Sequence, residues 1–247
     1  MAGHFTLSFY NRDKNTLDKS KKLKYNANRA LKALLFANIM LFYCHDKRGG
    51  RMKLGDIATV RSGLVLSRKQ SREPSGIRYP LLNLRSINPR GYIDLEQTDV
   101  FDAVEQLAPE YLSQVGDVVV RLSVPYTAVL IDEMTEGMVI SSNFVIIRTD
   151  RRTILPEYLF WLINTPKVKR SIYENTGGNM LGAIKAKYFA EFEISALPIS
   201  DQQKIGDMND LSMKETKLLR QLADEKELYY SLMIERANKE MKRGNKA

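Results

Sequence analysis

Hydrophobic and polar positions divide the chain into a strand-rich middle and a helical end. Three mostly β-branched runs, VVVRLSV, TAVLI and NFVIIR, lie between residues 118 and 148, separated by acidic, glycine or polar turns. Short apolar runs between turn signals are typical of buried strands. YPLLNLRSI, which precedes the NPRG turn of residues 88–91, predicts another strand. FDAVEQLAPEYL, at residues 101–112, predicts one or two short helices.

The period of the pattern changes to helical after residue 155. In LPEYLFWLINTP the apolar side chains recur at helical spacing, and Pro156 occupies a favoured position in the first turn. Thr165 and Pro166 predict the start of a second helix. Together with the strands before them, these segments indicate an α/β (α+β) domain.

A much longer helix is predicted from residue 201 to residue 243. Ser200 is a good N-cap, Gln203 stands where a capping box places Glu or Gln, and Pro198 ends the preceding segment. An apolar stripe recurs at intervals that are sums of three and four. Its members are Met208, Leu211, Leu218, Leu222, Tyr229 and Leu232.

Such a helix spans roughly 60 Å and needs a partner along its length. Glu215 and Glu225 interrupt the stripe. Two interpretations stay open. The helix is a spacer and coiled-coil arm that pairs with another helix, which we favour, or it is an amphipathic helix folded back on its own domain.

Charge is distributed unevenly along the chain. The net charge is +9, but residues 1–51 contain 11 Lys/Arg and 3 Asp/Glu, whereas the rest contains 27 and 26. Any DNA affinity of the main domain must therefore come from local clusters. Residues 61–90 contain seven bases and one acid, and residues 91–140 contain ten acids and one base. This reversal predicts a positive and a negative side of the domain; solvated faces of mixed sign are the alternative.

The sequence argues against catalysis in the main domain. His4, Cys44 and His45 are the only His and Cys residues, and all precede Met52. The rest of the chain therefore lacks the residues for a His-based nucleophile pair, a His/Cys zinc site or a thiolate centre. A single cysteine forms no intrachain disulfide, which fits a cytoplasmic protein. We expect no catalytic and no metal-binding residues.

Three short motifs resemble known functional motifs, but each lacks a required residue or lies in the wrong structural context. Gly177 and Gly182 have the spacing of a phosphate-binding loop, but Ala183 stands where that loop needs lysine. SVPY, at residues 123–126, lacks the polar residue and the first proline of an amino-methyltransferase loop. The carboxylate–lysine spacings of a nuclease occur only inside the long helix, where they indicate solvated charges.

The junction LPISDQQKIG resembles the turn into the long helix of DNA-specificity subunits of type I restriction-modification systems. Its residues are Pro198, Gln203, Ile205 and Gly206. Three further segments are similar to that family: LGDI at residues 54–57 followed by Gly63, GDVV at residues 116–119, and the glycine-rich NTGGNMLG before the last strand. The resemblance covers about residues 52–243. It includes one recognition domain and one helix, which is half of the family's usual plan.

The resemblance implies three regions. Residues 52–200 would form one mixed-sheet target-recognition domain, and residues 201–243 would form the long coiled-coil helix, which acts as a spacer and dimerisation arm. Residues 1–51 would be a basic and apolar extension. Its apolar run is too short to cross a bilayer, which needs about 20 residues. The extension is an amphipathic helix, an upstream segment that is absent because translation starts at Met52, or an export signal; we favour the second.

DNA recognition is the activity that the resemblance implies. Arg68, Arg72, Asn143 and Asn179 are candidates for contacts to base edges, and Lys69, Arg78, Lys185 and Lys187 are candidates for phosphate contacts. At the level of loops, the prediction covers residues 68–78 and 175–187. The target sequence itself does not follow from the residues.

The partners that the resemblance implies are double-stranded DNA, methyltransferase (modification) subunits and a restriction subunit. S-adenosylmethionine, ATP and Mg²⁺ would be bound by those subunits, and this chain would need no cofactor and no membrane. It would act as a homodimer or pair with a second specificity half. A donor half for recombination, a truncated remnant, and a stand-alone DNA-binding or scaffold protein that oligomerises through its helix are the alternatives.

Overall fold

The computed structural model describes residues 51–73, 76–175 and 184–244. The predictions for residues 1–50, for Asn179 and for the rest of the glycine-rich NTGGNMLG after Asn175 lie outside these residues. The strands are β1 (Arg51–Lys53), β2 (Ala58–Ser62), β3 (Arg78–Leu82), β4 (Asp99–Asp102), β5 (Val118–Arg121), β6 (Ala128–Leu130), β7 (Val139–Ile140), β8 (Phe144–Thr149) and β9 (Glu193–Ser195). The helices are α1 (Leu54–Ile57), α2 (Pro156–Asn164), α3 (Pro166–Asn175), α4 (Ala186–Ala190) and α5 (Ile199–Gly244).

The strands are divided among three sheets. The central sheet is antiparallel and has the order β2-β8-β5-β6. A mixed three-stranded sheet has the order β4-β3-β7, in which β3 and β7 are parallel. β1 and β9 form a two-stranded pair that joins the start of the domain to the segment before α5. The predicted mixed α/β domain followed by a long helix is confirmed.

Alternating residues of the central sheet bury its two faces in two different cores. Val118, Val120 and Ala128 contribute to a core with α2 and α3, in which Leu159 and Ile172 are buried. Val119, Val129 and Phe144 belong to a second core on the other face, together with Leu82 and Ile140. Because neighbouring strand residues point to opposite faces, a sheet covered on both sides needs continuous apolar runs. This requirement explains the unbroken apolar runs in VVVR of β5 and FVII of β8.

Residues 101–112 are not helical beyond one short turn, so the prediction for FDAVEQLAPEYL is wrong. Phe101 and Asp102 end β4, Ala103 forms a bridge with Gln70, and only Pro109–Tyr111 makes a 3-10 turn. Pairing with β3 decides the conformation, because tertiary contacts override weak local helix propensity.

A buried ion pair anchors the turn before β5. Arg148 on β8 donates from Nε and Nη2 to the two carboxylate oxygens of Asp117, each at 2.7 Å. The side chain of Asp117 is 1% exposed, and it also accepts from the backbone N–H of Gln114 at 2.9 Å. Gly116 has φ +87°, a conformation that favours glycine. The GDVV motif is therefore a turn fixed by a two-point ion pair.

The start of α5 differs from the predicted capping box. The helix begins at Ile199, so Ser200 lies inside the first turn, and Gln203 is exposed with its side chain donating to Asp207 at 2.8 Å. Gln202 is the buried glutamine instead. It accepts from the N–H of Leu155 at 2.8 Å and donates to the carbonyls of Thr153 and Leu197 at 3.0 and 2.7 Å. Burial selects the residue whose amide reaches backbone groups that would otherwise be unsatisfied.

Beyond its start, α5 leaves the domain. Ile205 and Gly206 are buried against α2, Met213 and Thr216 are half-buried, and residues 217–242 are exposed in the single chain. The alternative of an amphipathic helix folded back on its own domain is therefore wrong. Within residues 51–73, 76–175 and 184–244, no helix combines the length and the apolar character that crossing a membrane requires.

Candidate DNA interface

Backbone hydrogen bonds gather four segments at one end of the central sheet, where β2 and β5 end and β6 and β8 begin. We call this the loop end; it comprises residues 63–65, 122–127, 141–143 and 184–185. The basic loop leaves it and runs to the end of β4, where the N–H of Ser71 donates to the carbonyl of Asp102 at 2.9 Å. The N–H of Leu122 donates to the carbonyl of Asn143 at 3.0 Å, and the N–H of Ile184 donates to the carbonyl of Leu122 at 3.2 Å. The end of the second predicted DNA-binding loop and the chain that leads into the first one therefore lie at the same edge of the domain.

Gly63 holds the start of the basic loop, which continues to Arg68 and beyond, at this edge of the sheet. Its N–H donates to the carbonyl of Phe144 at 3.1 Å, and the next N–H, of Leu64, donates to Ile140 at 2.7 Å. A Cβ on Gly63 would lie 2.2 Å from the carbonyl oxygen of Ser141. The close backbone approach thus requires glycine, and it places the chain before Arg68 on the turn that carries Asn143.

The basic and acidic segments of the sequence do not form two separate faces. Arg78 donates to Asp102 at 2.8 Å, Arg85 donates to Asp99 at 2.8 Å, and Lys69 is paired with Glu105. The cause is the antiparallel register of β3 and β4, which places Arg78 opposite Asp102. Opposite charges on neighbouring strands attract, so part of the charge reversal is neutralised locally. The expected positive and negative sides are wrong to that extent.

The predicted contact residues fall into two groups. Lys69, Arg78 and Lys187 have acidic partners, the last with Glu191 at 3.6 Å. The other described candidates are exposed, and none has an ion pair within the described part of the chain. These are Arg68, Arg72, Asn143 and Lys185. Arg68 lies on the 3-10 turn Leu66–Arg68 and Lys185 lies directly before α4.

The second predicted loop is partly structural where it can be followed. The side chain of Asn175 donates to the carbonyl of Ser171 at 2.7 Å and to the hydroxyl of Tyr188 at 3.5 Å. Burial raises the pKa of Tyr188. Asn175 therefore ends α3 and is tied to α4, rather than reaching outward.

A second basic region was missed by sequence reasoning. It is a cleft of about 340 Å³ between the turn after β3, the α2–α3 corner and α5. We call it the junction cleft. Its cations are Arg90, Lys169, Lys217 and Arg220, and its other lining residues include Tyr92, Asn164, Met213 and Thr216. A signal was available in the sequence, because Met213, Thr216, Lys217 and Arg220 share one helix side at spacings of three and four.

Two observations bear on chemistry elsewhere in the domain. In the described ranges, with their gaps at residues 74–75 and 176–183, no group of three or more His, Cys, Asp or Glu side chains is placed to hold a metal ion. Burial lowers the pKa of Arg61, and the neighbouring Arg148 lowers it further, although both stay cationic at neutral pH. The described surface of the domain therefore provides charged and hydrogen-bonding groups for a ligand.

The fold defines the class of protein: a mixed α/β head on a long helix, with basic loops at one end. No family model and no curated protein matches the sequence. Solved structures do match. A chain solved for the assembly and conformational transition of the type I R-M system aligns at 18% identity and TM-score 0.55, over 71% of this chain and 45% of that one.

Two further solved structures carry the same family description. The HsdS subunit from Thermoanaerobacter tengcongensis aligns at 17% identity and TM-score 0.52, over 71% of this chain and 45% of that chain. The Type-I restriction-modification system S subunit from M. genitalium aligns at 14% identity and TM-score 0.48, over 86% and 53%. The first two show that this chain has the fold of HsdS subunits, as the sequence predicted. The chain spans about half the length of the structures that it matches.

Proposed function

We propose that this chain is a non-catalytic DNA sequence-specificity subunit of a type I restriction-modification complex. The fold of the head, which is that of HsdS subunits, supports this assignment. So do Lys185 at the loop end and Arg68 and Arg72 in the loop that leaves it, which are exposed without acidic partners in the described residues. Exposed cations at loops on a rigid sheet suit a duplex DNA surface, because phosphates dominate the affinity. In this proposal the loop end reads one half-site.

The observation that carries the proposal is the exposed apolar stripe of α5. The six side chains of Met208, Leu211, Leu218, Leu222, Tyr229 and Leu232 are 48–66% exposed in the single chain. An exposed apolar stripe of this length on a 46-residue helix marks an interaction surface.

The stripe and the domain lie on roughly opposite sides of α5. Gln202, Ile205 and Met213 face the domain, and at 100° per residue they are separated from Leu211, Leu218 and Leu222 by roughly half a turn. The helix therefore uses one side for its own head and leaves the other for a partner. We assign that partner as a second copy of this chain, paired antiparallel.

A symmetric pair of chains would contain twice the one domain and one helix of this chain, which matches the family's usual plan. Because the chain spans about half the length of the structures that it matches, two copies supply two heads and two helices. Two-fold symmetry in the protein is mirrored in the DNA site. We therefore expect an interrupted palindromic target whose spacing is set by the helices.

The remaining roles belong to partners. The chain would scaffold methyltransferase subunits and, through them, a restriction subunit in the cytoplasm. Those subunits would bind S-adenosylmethionine, ATP and Mg²⁺ and carry out methylation and cleavage. For contacts with these subunits, the described residues provide exposed charged side chains and the apolar stripe of α5.

Selection from a random pool of duplex DNA with the purified full chain tests the proposal. We expect enrichment of an inverted repeat with a fixed spacer, bound by a dimer in sedimentation. The double variant Leu218→Asp, Leu222→Asp should enrich a single half-site and sediment as a monomer. Absence of any enriched sequence with the wild-type chain would overturn the DNA-reading role.

Co-purification separates a specificity subunit from a stand-alone DNA-binding protein. Co-expression with the methyltransferase subunits of the same host should give a complex that methylates the selected site. Enrichment of a DNA sequence without any such complex would favour the stand-alone alternative.

A further inference from the structure

We propose that the junction cleft is a sequence-independent clamp for a DNA backbone phosphate, placed where the head meets α5. This inference rests on the proposed DNA-reading function and adds a second contact region to the loop end. Its cations come from three elements that are distant in sequence: Arg90 from the turn after β3, Lys169 from α3, and Lys217 and Arg220 from α5. Folding alone brings them together.

The cleft cations differ from four other cations of α5. Lys204, Lys214, Arg236 and Lys239 each pair with an acid three or four residues away, at 2.7–3.0 Å. Lys217 has no acid at those positions, which are occupied by Met213, Lys214, Arg220 and Gln221. None of the four cleft cations has an ion pair among residues 51–73, 76–175 and 184–244. Their charge is therefore available to an anion.

Lys169 is the residue that most requires a ligand. Its side chain lines the cleft in a half-buried position, and burial lowers the pKa of its amine. No acidic group of the described residues offsets this cost. A cation without a counter-charge destabilises the fold when it is partly buried, and a bound anion supplies the missing partner.

The cleft also holds its cations in place. The ammonium of Lys217 lies over the ring of Tyr92 at 5.5 Å from the centroid, an attraction that orders a long side chain before a ligand arrives. Asn164 on the cleft wall is fixed by hydrogen bonds to Ala128, which donates its N–H at 3.1 Å and accepts at 3.0 Å.

That contact links the cleft to the loop end. Ala128 is the first residue of β6, and residues 122–127 directly before it belong to the loop end. A duplex lying on the loop end can therefore continue along β6 to the cleft. Phosphates repeat along a strand, so a cation cluster adjacent to the base-reading loops meets the next stretch of backbone.

The lining favours a backbone phosphate over an enclosed small ligand. Pockets for small ligands contain only a few polar groups, whereas four of the ten residues that line this cleft are cations. Lys and Arg are the side chains that hold phosphates, and contacts of this kind position DNA without reading its sequence. The clamp would fix the angle between the DNA and α5.

Titration of the selected DNA site against salt concentration tests the clamp. The double variant Lys169→Gln, Lys217→Gln should weaken binding roughly tenfold and lower the slope of log K against log salt by about two, because each lost phosphate contact removes about one unit. The preferred sequence in the selection should be unchanged. The control Lys214→Gln removes a charge from the same helix outside the cleft and should leave the slope nearly unchanged.

Each other outcome has a distinct meaning. If the wild-type chain selects a DNA sequence but the double variant binds it with an unchanged slope, the clamp is overturned and the proposed function stands. The same holds if the variant loses only its association with methyltransferase subunits, since the cleft would then bind acidic protein. If the wild-type chain binds no DNA, both proposals fall. Thermal unfolding of the variants shows whether the fold is intact, and Lys169→Gln should not lower stability.

Discussion

The two ends of α5 have different surroundings. Near its start, Gln202, Ile205 and Gly206 are buried against the segment before α2 and α2 itself. From residue 217 to residue 242 every side chain is exposed, including Leu218 and Leu222. The difference shows that one helix serves two surfaces. The first belongs to the fold of a single chain, and the second is exposed in that chain, where we propose that a partner binds.

This contrast predicts that substitutions in the head and at the start of α5 lower the stability of the single chain, whereas substitutions in the far part do not. The largest effect is expected at Asp117. Asp117→Ala leaves Arg148 without the partner that accepts its two 2.7 Å hydrogen bonds. We expect a loss of about 3 kcal/mol in urea unfolding, because the two charge-assisted hydrogen bonds and the acceptor of the Gln114 N–H are lost together. Asp150→Ala, which removes an exposed pair with Arg152, is the control and should lower stability much less, because exposed ion pairs contribute little.

A smaller loss is expected at the junction itself. Gln202→Leu removes a buried amide that meets Leu155, Thr153 and Leu197. It should cost about 2 kcal/mol, since the backbone groups stay buried and unsatisfied. Gln203→Leu, one residue further along and exposed, should change the free energy of unfolding by less than about 0.5 kcal/mol. Equal effects at the two positions would mean that Gln202 does not hold the helix to the domain.

Gly206 gives a test with two opposing contributions. A Cβ there would lie 2.9 Å from the Cβ of Glu157, and overpacking costs about 1–3 kcal/mol. Alanine in place of glycine also favours a helix by about 1 kcal/mol. We expect Gly206→Ala to destabilise the chain by about 1 kcal/mol in urea unfolding. Ser231→Ala in the exposed part has only the propensity effect and should stabilise slightly, so destabilisation at both sites would contradict the contrast.

The smallest effect on the fold is expected in the far part of α5. Leu218→Asp with Leu222→Asp should change the unfolding of the head by less than about 0.5 kcal/mol, since neither side chain is buried in the single chain. The same variant should abolish dimers at micromolar concentration in sedimentation equilibrium. A variant that stays dimeric would assign the stripe to a different partner.

Local pattern was sufficient for most of the strands and helices, but not for residues 101–112 and not for the strand pairings. The runs around Val119 and Ile146 are strands because their apolar residues are continuous, and the helix after Pro198 follows from its period. The ion pair of Arg78 with Asp102 depends on the register of β3 and β4, to which residues 24 positions apart contribute. For the same reason Lys69 and Arg78 were predicted as phosphate contacts, although the fold pairs them with acids.

The candidate interface was partly predictable. Arg68, Arg72 and Lys185 were chosen from loops and Asn143 from the start of a predicted strand. The structure brings Asn143 and Lys185 to the loop end, and the loop that carries Arg68 and Arg72 leaves from that end. The junction cleft was not predicted, because Arg90, Lys169 and Lys217 are up to 127 positions apart in the sequence. No spacing rule connects residues across three elements.

The sequence by itself determined a mixed α/β head, a long terminal helix with one apolar stripe, and a main domain without His or Cys. These depend on residue type and on short-range periodicity, which local sterics and burial enforce. The tertiary structure alone decided which glutamine is buried at the junction, which cations keep their charge available, and which side of α5 faces solvent. Those outcomes depend on contacts between distant segments, where register and burial select one partner among several chemically equivalent residues.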